Sequence, residues 1–252
     1  MSPQQIPAAI LVVLCACVAL ADDAPAPIAT DRPSVTDSSV VVPEGTLQVE
    51  NGFTDTVSDG QRTLDGPESL LRFGIAPKTE LRLTAPDYFS AASSGFGDTA
   101  IGMKQQLGPV GGFDVSLVAS LSLPSGSRAF SSHGYDPFVQ LPWSRGLSKN
   151  WTAAGMLSVY WPTEAGRRNT TGETTFLLDR QLAKNWDAFA EYAGDFPQAG
   201  GPRHLLHLGT SVRVTSNQQI DLHVGVGLSA AAPDHFVGVG YSFRVPVFAH
   251  GK

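Results

Sequence analysis

The sequence is poor in cysteine, in charge and in long apolar runs, and each shortage excludes a class of protein. Its 252 residues include two cysteines, Cys15 and Cys17, so the remainder has no disulfide framework and no cysteine-bound metal. Charged residues make up 16% of the chain, against about 25% in typical soluble domains. With a net charge of -6, the chain lacks the excess of lysine and arginine that is typical of a nucleic-acid binder.

The one long apolar run lies at the N-terminus, from residue 7 to residue 21, and two aspartates follow it directly. The run is too short to cross a bilayer as a helix, and Ala19-Leu20-Ala21 has the small-x-small pattern that precedes signal peptidase cleavage. We therefore predict a signal peptide over residues 1–21 and an exported mature chain. The neighbouring cysteines leave a lipoprotein signal as an alternative. No later apolar run approaches the length of about 20 residues that a membrane helix needs, so a membrane crossing would use strands.

Apolar and polar residues alternate with a period of two through most of the chain after residue 44. Because successive side chains on a strand point to opposite faces, this period predicts strands with one apolar and one polar face. Most of these segments are longer than the roughly five or six residues of soluble strands and match a tilted membrane crossing. Two prolines interrupt the sixth of them. The twelve predicted strands cover residues 46–56, 67–76, 80–88, 97–107, 112–123, 136–146, 150–161, 172–182, 186–194, 203–214, 218–228 and 235–244.

Short and long connections alternate between these segments. Outer-membrane barrels have short turns at one rim and long loops at the other. The alternation of short and long connections therefore favours an all-β, antiparallel, up-and-down transmembrane β-barrel. The five tight turns lie near residues 77–79, 108–111, 147–150, 183–185 and 215–217. The six longer, polar loops lie near residues 57–66, 89–96, 124–135, 162–171, 195–202 and 229–234.

The apolar face of the predicted strands is assigned to lipid and the polar face to the lumen. A soluble barrel of lipocalin type would have the opposite arrangement, and the period alone does not separate the two. Strand number, strand length and aromatic residues near strand ends favour the membrane. The predicted lumen-lining residues, as a solute path or a charge network, are Glu50, Arg72, Arg82, Lys104, Asp114, Asp187, Glu191, His207, Arg213, Asp221 and His223. The four bases among them are expected to pair with the three aspartates and with Glu191.

A series of short motifs, in order, resembles the bacterial transporter or phenol-degradation meta-pathway family of outer-membrane β-barrels. The motifs lie at residues 29–54, which include Asp31-Arg32-Pro33, and at 71–75, 80–83, 95–104, 121–126, 191–192 and 219–227. The resemblance covers most of the mature chain and implies a barrel that admits small hydrophobic or aromatic molecules. One departure is the C-terminus, because Phe243 is followed by nine further residues where such barrels commonly end on an aromatic residue; Phe248 is a possible substitute.

The resulting hypothesis is a single barrel in the outer membrane of a Gram-negative-type bacterium. It divides the chain into a signal peptide (1–21), a periplasmic N-terminal segment (22–44), a barrel (45–244) and a C-terminal tail (245–252). The predicted function is passive uptake of small hydrophobic or aromatic molecules, with lipid and solute as partners, no cofactor, no metal and no enzymatic chemistry. The long loops and the N-terminal segment are candidate gates.

Two alternatives belong to other functional classes. An outer-membrane hydrolase of phospholipase type would need a nucleophile, a base and an orienting group. The candidate residues are His207, His223, Asp221, Ser116, Ser120 and Ser122, but no G-x-S-x-G elbow accompanies any of these serines. A non-conducting structural barrel, in which the lumen charges only hold the shape, is the other alternative.

Overall fold

The computed structural model of the protein describes residues 26–248, and this part of the chain consists of strands, turns and loops without a helix. None of it could therefore cross a membrane as a helix. The strands are β1 (Thr46–Ser58), β2 (Gln61–Gly66), β3 (Leu70–Ala76), β4 (Thr79–Thr84), β5 (Tyr88–Ser90), β6 (Ser94–Phe96), β7 (Thr99–Val110), β8 (Phe113–Leu123), β9 (Asp136–Ser148), β10 (Trp151–Tyr160), β11 (Thr163–Glu164), β12 (Arg167–Arg168), β13 (Thr171–Ala183), β14 (Trp186–Pro197), β15 (Arg203–Thr215), β16 (Gln218–Gly227) and β17 (His235–Pro246).

Twelve of these strands form a closed antiparallel barrel, as the sequence predicts. Around the wall the order is β1, β3, β4, β7, β8, β9, β10, β13, β14, β15, β16 and β17, and β17 pairs with β1 to close the ring. The closing pair runs from Thr46 opposite Pro246 to Val57 opposite His235. Closure satisfies the backbone groups of both terminal strands, which is the condition for a sheet to stand in lipid.

The predicted loops at 57–66, 89–96 and 162–171 are wrong in part, because they contain further strands; in the last, β11 and β12 pair with each other. β2 pairs with the C-terminal part of β1, β5 pairs with β2, and β6 pairs with β5. The predicted third strand is likewise too long, since β4 ends at Thr84. Pro67 and Pro86 lie at the two interruptions, where a residue without an N–H group cannot continue the ladder.

The two faces of the wall have the polarity predicted for a membrane barrel. Along β16 the exposed fractions of Ile220 and Leu222 are 52% and 48%, whereas those of Asp221 and His223 between and beside them are 2% and 6%. Buried polar and exposed apolar side chains recur around the barrel. This arrangement is the inverse of a soluble barrel, so it excludes the lipocalin-type alternative and confirms the assignment of the apolar face to lipid.

The sixth predicted strand forms as β9 in spite of Pro137 and Pro142, which lie opposite Leu121 and Met156. At the C-terminal end of the described chain, the ring of Phe248 packs edge-on against Phe73 with 6.0 Å between the ring centroids. The predicted signal peptide, both cysteines and the last four residues lie outside the described range.

Candidate functional site

The lumen of the barrel contains a segment of the chain that precedes the first strand. Residues 26–44, named here the lumen segment, begin near the turn after β15, where the Ile28 N–H donates to the Ser216 carbonyl (2.8 Å). They return to the same rim, where the Gly45 N–H donates to the Gly74 carbonyl (2.8 Å). The predicted N-terminal segment of residues 22–44 therefore lies inside the barrel over its described part.

The lumen segment crosses the interior and contacts three parts of the wall. Near its middle, Thr36 donates its hydroxyl and its N–H to Glu191 of β14, at 2.6 and 2.8 Å. Further along, the hydroxyl of Ser39 is 2.7 Å from that of Ser144 on β9. The Val42 N–H donates to Glu80 of β4 (2.8 Å). All these contacts are hydrogen bonds between polar groups, so the segment is held without a covalent link to the lumen wall.

A cluster of buried charges anchors the lumen segment to β1, β3, β4 and β7. The cluster joins acids of the segment to acids and bases of the wall and consists of Asp31, Asp37, Glu50, Arg72, Glu80, Arg82 and Lys104. Asp31 is at its centre, with a carboxylate oxygen 2.5 Å from Arg82, 2.9 Å from Lys104 and 3.1 Å from Arg72.

The wall bases of this charge cluster also pair with wall acids. Arg72 is 2.9 Å from both Glu50 and Glu80, and its side chain has no exposed area. Arg82 is 3.0 Å from Asp37. Buried ion pairs stabilise a structure only when the remaining donors and acceptors are also satisfied. Here the backbone helps, because the Asp31 N–H donates to Glu50 (2.8 Å) and Arg72 donates to the Val40 carbonyl (2.9 Å).

The two acids that the lumen segment contributes to the charge cluster, Asp31 and Asp37, have pKa values shifted in opposite directions. Burial alone would raise the pKa of Asp31, but the charges of Arg72, Lys104 and Arg82 outweigh it and hold this pKa well below its usual range. The pKa of Asp37 is raised, first by burial and then by the Asp31 carboxylate. Asp31 is therefore the permanent negative charge on which the wall bases converge.

A second polar group lies on β14, β15 and β16. Glu191 accepts a hydrogen bond from His207 Nδ1 (2.8 Å), and His207 Nε2 is 3.0 Å from His223 Nδ1. The rings of Phe189 and Phe236 pack edge-on against His207 with 5.2 Å between centroids in each case. The sequence predicts all three polar residues in the lumen, and the structure joins them into one hydrogen-bonded chain.

The structure buries most of the predicted lumen residues but forms few of the predicted pairs. Only Arg213 and Asp187 pair as expected (2.7 Å), close to the turn-side rim. Asp114 is exposed at the same rim. Asp221 is 3.5 Å from Arg32 of the lumen segment. The other three bases pair with acids outside the predicted set, namely Asp31, Asp37 and Glu80, together with Glu50.

Sequence reasoning missed Asp31 and Asp37 because it counted partners only on the strands. The signal that could have found them is the motif Asp31-Arg32-Pro33, the first motif of the family resemblance, in a segment with no period of its own. Three buried bases on adjacent strands need more acids than these strands carry on their lumen face. The polar segment just before β1 supplies the additional acids.

The residues of the hydrolase alternative do not come together. Ser116 donates to the Ser39 carbonyl (2.5 Å) on the wall of β8, and the Nε2 atom of His207 is occupied by His223. Among the described residues, no hydrogen bond joins a lumen serine of β8 to either histidine, and no group of three or more His, Cys, Asp or Glu side chains could hold a metal ion. The geometry therefore gives no support to nucleophilic catalysis.

A family model described as the putative MetA-pathway of phenol degradation matches residues 30–245. The chain belongs to this family. The match begins within the lumen segment and continues to the end of the barrel, so the family includes both. A comparison with curated protein sequences finds no match.

Solved structures with the same fold are outer-membrane barrels. The COG4313 outer membrane channel from Pseudomonas putida F1 superposes with a TM-score of 0.61 at 11% identity, over 82% of this chain and 98% of that one. The NanC porin gives a TM-score of 0.57 at 9% identity, over 79% and 100% of the two chains. The KdgM porin gives 0.54 at 14% identity, over 77% and 98%. These likenesses support the barrel fold, and their low identities carry no information on the solute.

Proposed function

We propose that the protein is an outer-membrane channel for the passive uptake of small hydrophobic or aromatic molecules. The observation that carries the proposal is the lumen segment. A barrel of twelve strands is wider than the eight-stranded barrels that wall side chains alone can fill. Here a separate segment lies in the lumen, enters and leaves at one rim, and is held by hydrogen bonds and ion pairs. It can therefore move without any break in the wall.

Aromatic side chains at the loop end of the lumen support a solute with an apolar body. The rings of Phe138 and Tyr160 stack with 5.4 Å between their centroids, and Phe236 lies near the start of β17 on the same side of the membrane. Ligand sites combine such apolar surfaces with a few polar groups that fix orientation. The family description, which refers to phenol degradation, agrees with an aromatic solute.

The proposed location follows from the fold and from the predicted export signal. The apolar outer face requires lipid, and closed barrels of this layout stand in outer membranes. The solute would therefore enter from the side of the long loops and leave at the rim of the tight turns. Export through residues 1–21 belongs to the same proposal.

Uptake by intact cells tests the function directly. Phospholipid vesicles are unsuitable, since small aromatic molecules cross a plain bilayer unaided, whereas the lipopolysaccharide leaflet of intact Gram-negative cells slows them. Cells that express the protein should take up radiolabelled 2-phenylethanol and ethylbenzene severalfold faster than cells with an empty vector. Equal rates, with a heat-modifiable band in the outer-membrane fraction to prove assembly, would indicate a non-conducting barrel and overturn the proposal.

A further inference from the structure

Three adjacent strands, β16, β17 and β1, carry a strip of small residues on their lumen face. Gly238 and Gly240 lie two positions apart on β17, so about 7 Å separates them along one face. The strand register places them in two rows across the three strands, the row of Asp221, Gly240 and Gly52 and the row of His223, Gly238 and Thr54. We name this region the glycine strip.

Polar side chains fold closely over these glycines. A Cβ atom on Gly240 would lie 2.6 Å from Arg32 Nε and from both carboxylate oxygens of Asp221. A Cβ atom on Gly238 would overlap His223 Nε2. The close packing over Gly238 and Gly240 brings three titratable side chains together, Arg32, Asp221 and His223.

The atoms that converge on the glycine strip have no hydrogen-bond partners. In the described part of the chain, eight buried side-chain atoms lack a partner, and four of them are Arg32 Nε, both carboxylate oxygens of Asp221 and His223 Nε2. Arg32 Nη2 is 3.5 Å from Asp221 Oδ1, whereas the other terminal nitrogen of Arg32 pairs with Glu68. Native proteins rarely leave buried polar groups unpaired, since each such group costs about 1–3 kcal/mol. Four such atoms, on three neighbouring side chains, indicate a site that is completed by another molecule.

The hydrogen-bond chain on β14 to β16 connects the unpartnered nitrogen of His223 to Glu191. Glu191 accepts the N–H groups of Val35 and Thr36, and it is 2.8 Å from Nδ1 of His207. Nε2 of His207 is 3.0 Å from Nδ1 of His223. When the proton between the two rings is carried by Nδ1 of a neutral His223, Nε2 of His223 has a free lone pair and is an acceptor.

The glycine strip thus offers acceptors on Asp221 and His223 and a donor on Arg32. A hydroxyl group matches this set, because one oxygen both donates and accepts. An ammonium group would meet the guanidinium of Arg32, and a carboxylate would meet Asp221. The ring of Phe236, with its centroid 5.8 Å from that of His223, provides an apolar neighbour for the remainder of the molecule.

We propose that the glycine strip binds the neutral hydroxyl group of an otherwise apolar solute through Asp221, His223 and Arg32. This proposal rests on the proposed function and names the chemical class that the channel prefers. The atoms are closed off in the present arrangement, and Arg32 belongs to the lumen segment. A small shift of that segment would therefore open space for the hydroxyl group between Arg32 and the two wall residues, Asp221 and His223.

Binding of four molecules with the same phenylethyl skeleton tests the proposal. The probes are 2-phenylethanol, ethylbenzene, phenylethylamine and phenylacetate, measured by saturation-transfer NMR with purified protein in detergent. The wild type should prefer the alcohol. In Asp221→Asn the affinity for the alcohol should fall about tenfold, as expected for the loss of a hydrogen bond to a charged group, whereas the affinity for ethylbenzene should not change. Binding of phenylacetate should become stronger because the repelling charge is removed.

Asp59→Asn is the matched control, since Asp59 is exposed at the loop between β1 and β2 and its backbone φ of 50° suits asparagine. Heat-modifiable migration confirms that each variant is folded, and His223→Gln supplies a second test of the same site with the same expected loss for the alcohol. An Asp221→Asn protein that binds the alcohol as tightly as the wild type would overturn the proposal, as would tighter binding of the amine than of the alcohol. If cells take up the probes but alcohol and hydrocarbon bind equally, only this proposal fails; if no probe enters cells, the proposed function fails as well.

Discussion

A disulfide between the lumen segment and the wall should abolish solute uptake. The variant is Ser39→Cys with Ser144→Cys, whose native hydroxyl oxygens are 2.7 Å apart, within reach of a disulfide. If the predicted signal is removed, the mature chain contains no other thiol. Because the proposed function requires the lumen segment to move, oxidised protein in intact cells should take up 2-phenylethanol at the rate of the empty-vector cells. A membrane-permeant reductant should restore the rate.

Each single cysteine variant is a control for the disulfide, since it carries one of the two serine-to-cysteine changes and cannot form the cross-link. Both should transport at the wild-type rate under oxidising and reducing conditions. Undiminished uptake by protein shown to be fully cross-linked would mean that the solute passes beside the lumen segment in its present position, and the gating role of the segment would be wrong.

The second large effect concerns Asp31, whose replacement by asparagine should release the lumen segment. Asp31→Asn removes the acid of the lumen segment that pairs with all three bases, Arg72, Arg82 and Lys104. The wall acid Glu80 still pairs with these bases, but it does not hold the segment through an ion pair. Removal of one partner from a buried ionic network costs about 3–5 kcal/mol, which corresponds to a hundredfold or greater increase in the open population. Hydrogen exchange followed by mass spectrometry should therefore show faster exchange across residues 31–42, with little change in the strands.

Asp37→Asn is the matched control for this prediction. Asp37 is in the same segment and pairs with Arg82 at 3.0 Å, but its raised pKa shows that its charge is less strongly stabilised. Its replacement should speed exchange much less than that of Asp31. Equal effects of the two substitutions would show that Asp31 is not the central anchor of the charge cluster.

The strands of the wall could be predicted because the side chains of each strand alternate between a lipid-facing and a lumen-facing side. Along β16, the alternation from Ile220 to Val226 indicates both the strand and its lipid-facing side without knowledge of any neighbour. Predictions failed where the alternation is interrupted by proline but the ladder resumes. Before Pro67 the chain pairs with β1 as β2, and beyond Pro86 it pairs with β2 as β5, because the hydrogen-bonding groups of the neighbouring strands there also need partners.

The partners of the lumen charges could not be predicted in the same way. Polar lumen residues such as Arg72 and Asp221 are visible in the sequence, but which acid meets which base depends on strand register and on the path of a segment without periodic pattern. The expectation that Arg72 pairs with wall acids of the predicted set overlooked Asp31, which is 41 positions away in the chain and reaches the cluster only because residues 26–44 fold inward.

The sequence by itself determined the architecture: twelve crossings, an apolar face for lipid and a polar face for the lumen, since these depend on local composition and a period of two. The tertiary structure alone decided what occupies the lumen. Long-range electrostatics places Asp31 among three wall bases, and strand register places Gly238 and Gly240 beneath Arg32, Asp221 and His223. Such contacts depend on distances across the barrel, which no local pattern in the chain records.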